Sequence, residues 1–181
     1  MGSEMCIRDS YSADDPKIKL KIDHTYRVAA LCERIAKAAG MCAYDVELAW
    51  LSGMLHDVGR FEQIKRYNTF SDADSVDHAK FGADLLFKDG LISTFLNGMV
   101  KCTGYKPGAL EDRYSSDGVF LYDRLNKSDM EMLELAIRCH NMYRIPQGLN
   151  SREQAFCNVL RDADKVDIFK VNIDTPVSYT H

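Results

Sequence analysis

Apolar positions recur along the chain at the three-to-four-residue spacing of a helix face, and nowhere do they alternate over the length of a strand. Between Lys21 and Ala39 they fall at Val28, Ala29, Leu31, Ile35, Ala36 and Ala39. A helix is therefore predicted there, opened by His24 and stopped by Gly40. Asp45 is placed to cap the next helix. That helix is apolar on nearly every side from Leu48 to Leu55, as expected of a central buried element. Gly59 then permits the chain to turn away. From Phe61 to Asp77 the sequence is polar, aromatic and irregular, and reads as a loop.

A helix follows from His78 through Phe87, and a short apolar one from Leu91 to Val100. Lys101 to Lys127 carries Gly104, Pro107, Gly108 and Gly118 among charges and tyrosines, as a long connection or insertion would. Its Tyr105, Tyr114, Phe120 and Tyr122, with Met99 just before it, are expected to pack on the domain rather than over a site. Ser128 and Glu131 form a capping-box pattern ahead of a helix running to His140, and Ser151 and Gln154 form another after the turn at Pro146 and Gly148. The last helix turns Phe156, Val159, Leu160, Ala163 and Val166 inward. The fold class that emerges is all-α, a bundle of five or more helices.

Composition narrows the class. With 181 residues, 46% hydrophobic and 28% charged, the chain suits one soluble domain with a real core. A net charge of −4 leaves no broad basic surface for nucleic acid or an anionic membrane. The six cysteines show neither CxxC pairs nor framework spacing, which argues against a zinc ribbon or a disulfide scaffold and for a reducing, cytoplasmic setting. No stretch approaches the roughly 18 apolar residues of a membrane span. Residues 1–10 and 176–181 look like translated sequencing-adapter sequence, so residues 11–175 are taken as the domain.

The chemistry centres on Leu55-His56-Asp57-Val58-Gly59-Arg60. Adjacent side chains on a helix diverge by about 100°, so His56 and Asp57 converge on one point only if other elements complete the site. Candidates lie in separate helical stretches: His24, His78, His140 and Asp164. An aspartate between Ala163 and Val166 on an apolar face needs a cation. Asp162 points about 200° away from it around the helix, whereas Asp167, about one turn on, is the plausible partner behind the site. Arg60 fits a phosphate contact as well as a pairing with Glu62.

In this order, H…HD…H…H…D, and with the flanking residues His24-Thr-Tyr-Arg-Val, His78-Ala-Lys-Phe-Gly82, Ala136-Ile-Arg-Cys-His140 and Leu160-Arg-Asp-Ala-Asp164-Lys165, the chain resembles the HD superfamily of metal-dependent phosphohydrolases. The resemblance implies a first metal on His24, His56, Asp57 and Asp164. It implies a second on Asp57, His78 and His140, with Asp57 as the bridge. Asn141 stands where some two-metal relatives carry a further histidine, so the fullest ligand set of that branch is not met. Imidazole and carboxylate together suit one or two divalent transition ions, Fe, Mn, Co, Ni or Zn, better than Mg.

Water on such ions deprotonates near neutral pH and attacks phosphorus. Asp57, Arg60 and Lys165 are the expected catalytic residues, the two cations neutralising phosphate oxygens. The expected substrate is a nucleotide or another small phosphate ester. Two other readings stay open: a regulatory module that binds a nucleotide without catalysis, and oxidative cleavage at a mixed-valence di-iron centre.

Overall fold

The computed structural model describes residues 15–101 and 125–174. Among them there are helices and no strands. In chain order the helices are α1 (Pro16–Ala38), α2 (Ala43–Leu55), α3 (Val58–Tyr67), α4 (His78–Ala83), continued by a π-helical turn at Asp84–Lys88, α5 (Leu91–Lys101), α6 (Lys127–Cys139) and α7 (Ser151–Asp174). None is long and apolar enough to cross a membrane. The adapter-like ends and nearly all of the 101–127 connection, with its tyrosines, lie outside the described residues.

The centre is α2, which packs against α1, α6 and α7. Leu48, Leu51 and Leu55 are buried there with Val28 of α1, Leu133 and Ile137 of α6 and Phe156 and Leu160 of α7. Gly53 is what lets α1 and α2 close. A Cβ on it would stand 2.6 Å from the Ala29 Cα, so any larger residue would push the two helices apart. Buried cysteines behave as core residues, with burial pushing the thiols of Cys32 to about 12 and Cys157 to about 11.

Several local expectations change. Helix α1 starts five residues earlier than the periodicity suggests: Asp15 caps it by accepting from the Lys17 N–H at 2.8 Å, and Pro16 supplies the preset φ of a first helical residue. His24 thus lies well inside α1 rather than opening it. Gly40, at φ +72°, does end it. Asp45 does not cap α2. The N-cap there is Cys42, and Asp45 accepts from Arg152 at 2.6 Å.

Both capping boxes exist one or two residues upstream of the Ser patterns. Asn126 pairs with Asp129, and Asn150 with Glu153. Asparagine caps as well as serine, and its amide oxygen reaches the N3 N–H in each case. The segment after Asp57 is not wholly loop, because Phe61 and Ile64 of α3 bury against Ile18 in a second small core. Two apolar positions one turn apart were too few to signal a helix. Val166 is half exposed and Asp167 is the buried residue at that level.

Gly59 also has a different task from the one its sequence suggested. It lies inside α3, and a Cβ there would strike the His78 carbonyl and stand 2.8 Å from the Gly82 N. The turn itself is made by Asp57, at φ −100° and ψ 14°. Gly59 and Gly82 instead bring α3 and α4 into backbone contact, which carries His78 to Asp57.

Candidate metal centre

The residues singled out along the sequence meet at one buried point. His24 comes from the middle of α1, His56 and Asp57 from the junction of α2 and α3, His78 from the first position of α4, His140 from the end of α6, and Asp164 from α7. All four histidines and Asp57 are at most 6% exposed. His56 is the C-cap of α2 and Asp57 the N-cap of α3, so the pair sits at the break between two helices rather than inside one.

Asp57 divides the ligands into two groups. Its Oδ2 lies 3.6 Å from His24 Nε2 and 3.7 Å from His56 Nε2. Those two nitrogens are 3.3 Å apart, and Asp164 Oδ1 is 3.1 Å from the first and 3.7 Å from the second. The other oxygen, Oδ1, lies 3.5 Å from His78 Nε2 and 3.9 Å from His140 Nε2, which are 3.1 Å from each other. Donors about 2.1 Å from a common ion stand about 3.0–3.4 Å apart in octahedral or tetrahedral geometry. Both groups are close to that spacing.

The histidine rings are held so that Nε2 faces inward. His56 Nδ1 donates to the Gly53 carbonyl and His140 Nδ1 to the Ile137 carbonyl, each at 2.7 Å. A carbonyl only accepts, so the ring proton is on Nδ1 and the Nε2 lone pair points into the site. His78 Nδ1 donates to Asp72 at 2.7 Å, and His24 Nδ1 to Asp167 at 2.8 Å. Such outer partners fix the tautomer and raise the basicity of a metal-binding imidazole.

The ionisation of the site follows from burial and charge. Burial pushes His56, His78 and His140 below the ordinary histidine value, toward the neutral form. The His78 and His140 lone pairs therefore face each other at 3.1 Å, an arrangement that a cation between them stabilises. His24 is the exception: burial would lower it too, but Asp164, Asp57 and Asp167 outweigh that and raise it. An ion bound there displaces its proton, so metal binding should release protons. Burial would raise Asp57, yet its polar surroundings, with the Lys21 ammonium 2.8 Å from Oδ2, hold it well below the usual carboxylate range. The donor set fits divalent ions in both groups.

The two cations singled out along the sequence have different surroundings. Lys165, next to Asp164, is exposed and has no ion pair among the described residues. Arg60 does not pair with Glu62, which holds Lys65 and Arg66. Its Nη1 instead donates to Asp72 at 2.6 Å, to Gln63 at 2.8 Å and to the Phe70 carbonyl. Its Nε, buried and without a hydrogen-bond partner, lies 3.8 Å from Asp57 Oδ1. Arg60 thus supports Asp72, which orients His78.

Two further residues escaped the sequence reading. Lys21 Nζ sits 2.8 Å from Asp57 Oδ2, one turn before His24 on the same face of α1, a spacing that was visible in the sequence. Asp72 lies on the segment between α3 and α4, where no periodicity points to it. Asp167 was anticipated, and Arg27 clamps it from outside at 2.7 and 3.0 Å. Asp72, Asp77 and His78 also gather outside the centre. There Asp77 caps α4 and accepts from Asn141 at 3.0 Å, which ties the end of α6 to the start of α4.

Comparison with known families agrees with this geometry. The HD domain model matches residues 22–170, and the chain belongs to that family. The family includes metal-dependent phosphohydrolases, and its domains bind divalent metals. Neither the search of curated proteins nor that of solved structures returned a match.

Proposed function

We propose that this protein is a metal-dependent phosphohydrolase that cleaves a nucleotide or another small phosphate ester. The observation that carries the reading is the division of Asp57: one oxygen faces His24 and His56, which Asp164 also contacts, and the other faces His78 and His140. A regulatory module would have no need to keep both donor groups and the partners behind them.

Bound ions would supply a water acidic enough to be deprotonated near neutral pH and would draw charge from the phosphoryl oxygens. The chain's own part is to set the geometry. Asp57, ionised at all working pH values, holds the two groups in register. Asp167 and Asp72 fix the rings of His24 and His78, and backbone carbonyls fix His56 and His140. Among the described residues, the buried thiols of Cys32, Cys139 and Cys157 are all raised by burial, which disfavours the nucleophilic thiolate. The net charge of −4 favours a small phosphate over long nucleic acid.

The test is metal analysis of anaerobically purified protein, followed by a panel of nucleotides and sugar phosphates with each of Fe, Mn, Co, Ni and Zn. Phosphate release that requires metal and disappears in Asp57→Ala is expected. Bound metal with no phosphate release from any ester, or no bound metal at all, would end the proposal.

A further inference from the structure

Three cations were candidates for holding the substrate's phosphate, and the structure treats them differently. Lys165 is exposed and unpaired among the described residues. Arg60 spends Nη1 on Asp72, Gln63 and the Phe70 carbonyl. Arg60 Nε, unpartnered and 3.8 Å from Asp57 Oδ1, also borders the centre but is buried, whereas Lys21 borders it from a partly exposed position and with donors to spare. Its ammonium carries three protons, and its ion pair among the described residues is the one to Asp57 Oδ2, at 2.8 Å. The side chain is 20% exposed, so unlike the buried histidines Lys21 is not sealed from solvent. The Phe70 ring, 5.6 Å from Nζ, holds it there.

We propose that Lys21 is a catalytic residue that binds a non-bridging phosphate oxygen of the substrate beside the ions. This rests on the reading of the centre as a metal-dependent phosphohydrolase. The position has two consequences of opposite sign. A positive charge 2.8 Å from a metal-binding oxygen weakens that oxygen as a donor and repels an ion placed on it. The same charge attracts a phosphate anion that reaches the ions. Lys21 therefore lowers metal affinity while raising phosphate affinity. A residue that only held α1 in place would, when lost, weaken both.

The experiment measures manganese binding by calorimetry, and then inorganic phosphate binding to the manganese-loaded protein, in wild type, Lys21→Met, Lys21→Gln and Lys21→Arg. Met keeps the length of the side chain without its charge, and Gln guards against a folding defect caused by an apolar end. Both should bind manganese several-fold more tightly and phosphate about tenfold or more weakly, the usual worth of a charge-assisted hydrogen bond. Arg should restore most of the phosphate affinity. If wild type binds manganese and phosphate while both neutral variants weaken manganese, or leave phosphate unchanged, the role of Lys21 is overturned and the metal reading stands. A wild type that binds no manganese overturns the metal reading and the proposal with it.

Discussion

The two sides of Asp57 are built from the same chemistry on different foundations. On the Oδ2 side, His24 and Asp164 lie within the two longest helices among the described residues, and Asp167, the partner behind His24, is 1% exposed and clamped by Arg27. On the Oδ1 side, His78 is the first residue of a short helix that passes at once into a π turn, and His140 is the last before a loop. Asp72, the partner behind His78, sits on an irregular segment and is 33% exposed. One group is held by packed helices, the other by a polar network of Arg60, Gln63 and Asp72. The difference predicts that an ion on the first group would be bound more tightly and that one on the second would depend on the order of residues 68–77.

The strongest way to break the comparison is to remove what the two sides share. Asp57→Ala should abolish both ions in elemental analysis and all metal-dependent phosphate release. Retention of one ion would show that the sides are independent. His78→Ala and His140→Ala should each lower the count from two ions to one, whereas His24→Ala should disturb the first. If wild type holds a single ion and both of the former variants keep it, the dinuclear arrangement is wrong.

The supports test the foundations themselves. Asp72→Asn and Asp167→Asn each remove a charge behind one histidine, and loss of such a partner typically costs about 10–100-fold in metal affinity. Asp72→Asn should weaken only the second ion and Asp167→Asn only the first, read by competitive chelation. Equal weakening of both ions by either variant would mean that the two sides share their support.

A smaller effect is expected from a charge outside both sides. Asp129 is fully buried between Tyr44, the Asn126 N–H and Arg152. Burial would raise its carboxyl, but those three partners hold it below its ordinary value. The stability this gives is therefore present above the unfolded value near 3.8 and is lost as pH falls toward the lower folded value. Asp129→Asn should cost about 1–3 kcal/mol at neutral pH and flatten the acid limb of a thermal-denaturation series, with both ions still bound. An acid limb as steep as that of wild type would assign the acid sensitivity to other carboxylates.

Much of this was legible along the chain. The helical class followed from spacing, because burial on one side of a helix imposes a period of 3.6 on the sequence wherever the helix lies. The order of the candidate ligands came from the resemblance to the HD superfamily, and only Asp164, between Ala163 and Val166, was singled out by the cost of a carboxylate on an apolar face. Asp167 was found by counting one turn on from Asp164, and Lys21 was within reach of the same arithmetic from His24. The helix over Val58–Tyr67 was missed because only Phe61 and Ile64 face its small core.

What the tertiary structure alone decided is how the ligands divide. His24 and Asp167 are 143 residues apart, Lys21 and Asp57 are 36, and no local pattern states which oxygen of Asp57 faces which histidines. That depends on how closely helices approach, and the approach is set by absent side chains, Gly53 against Ala29 and Gly59 against Gly82. Asp72 lies on a segment with no period at all, so only the packing of α3 on α4 brings it behind His78. Periodicity records which face a residue is on; the distance between two faces is a property of the packed chain.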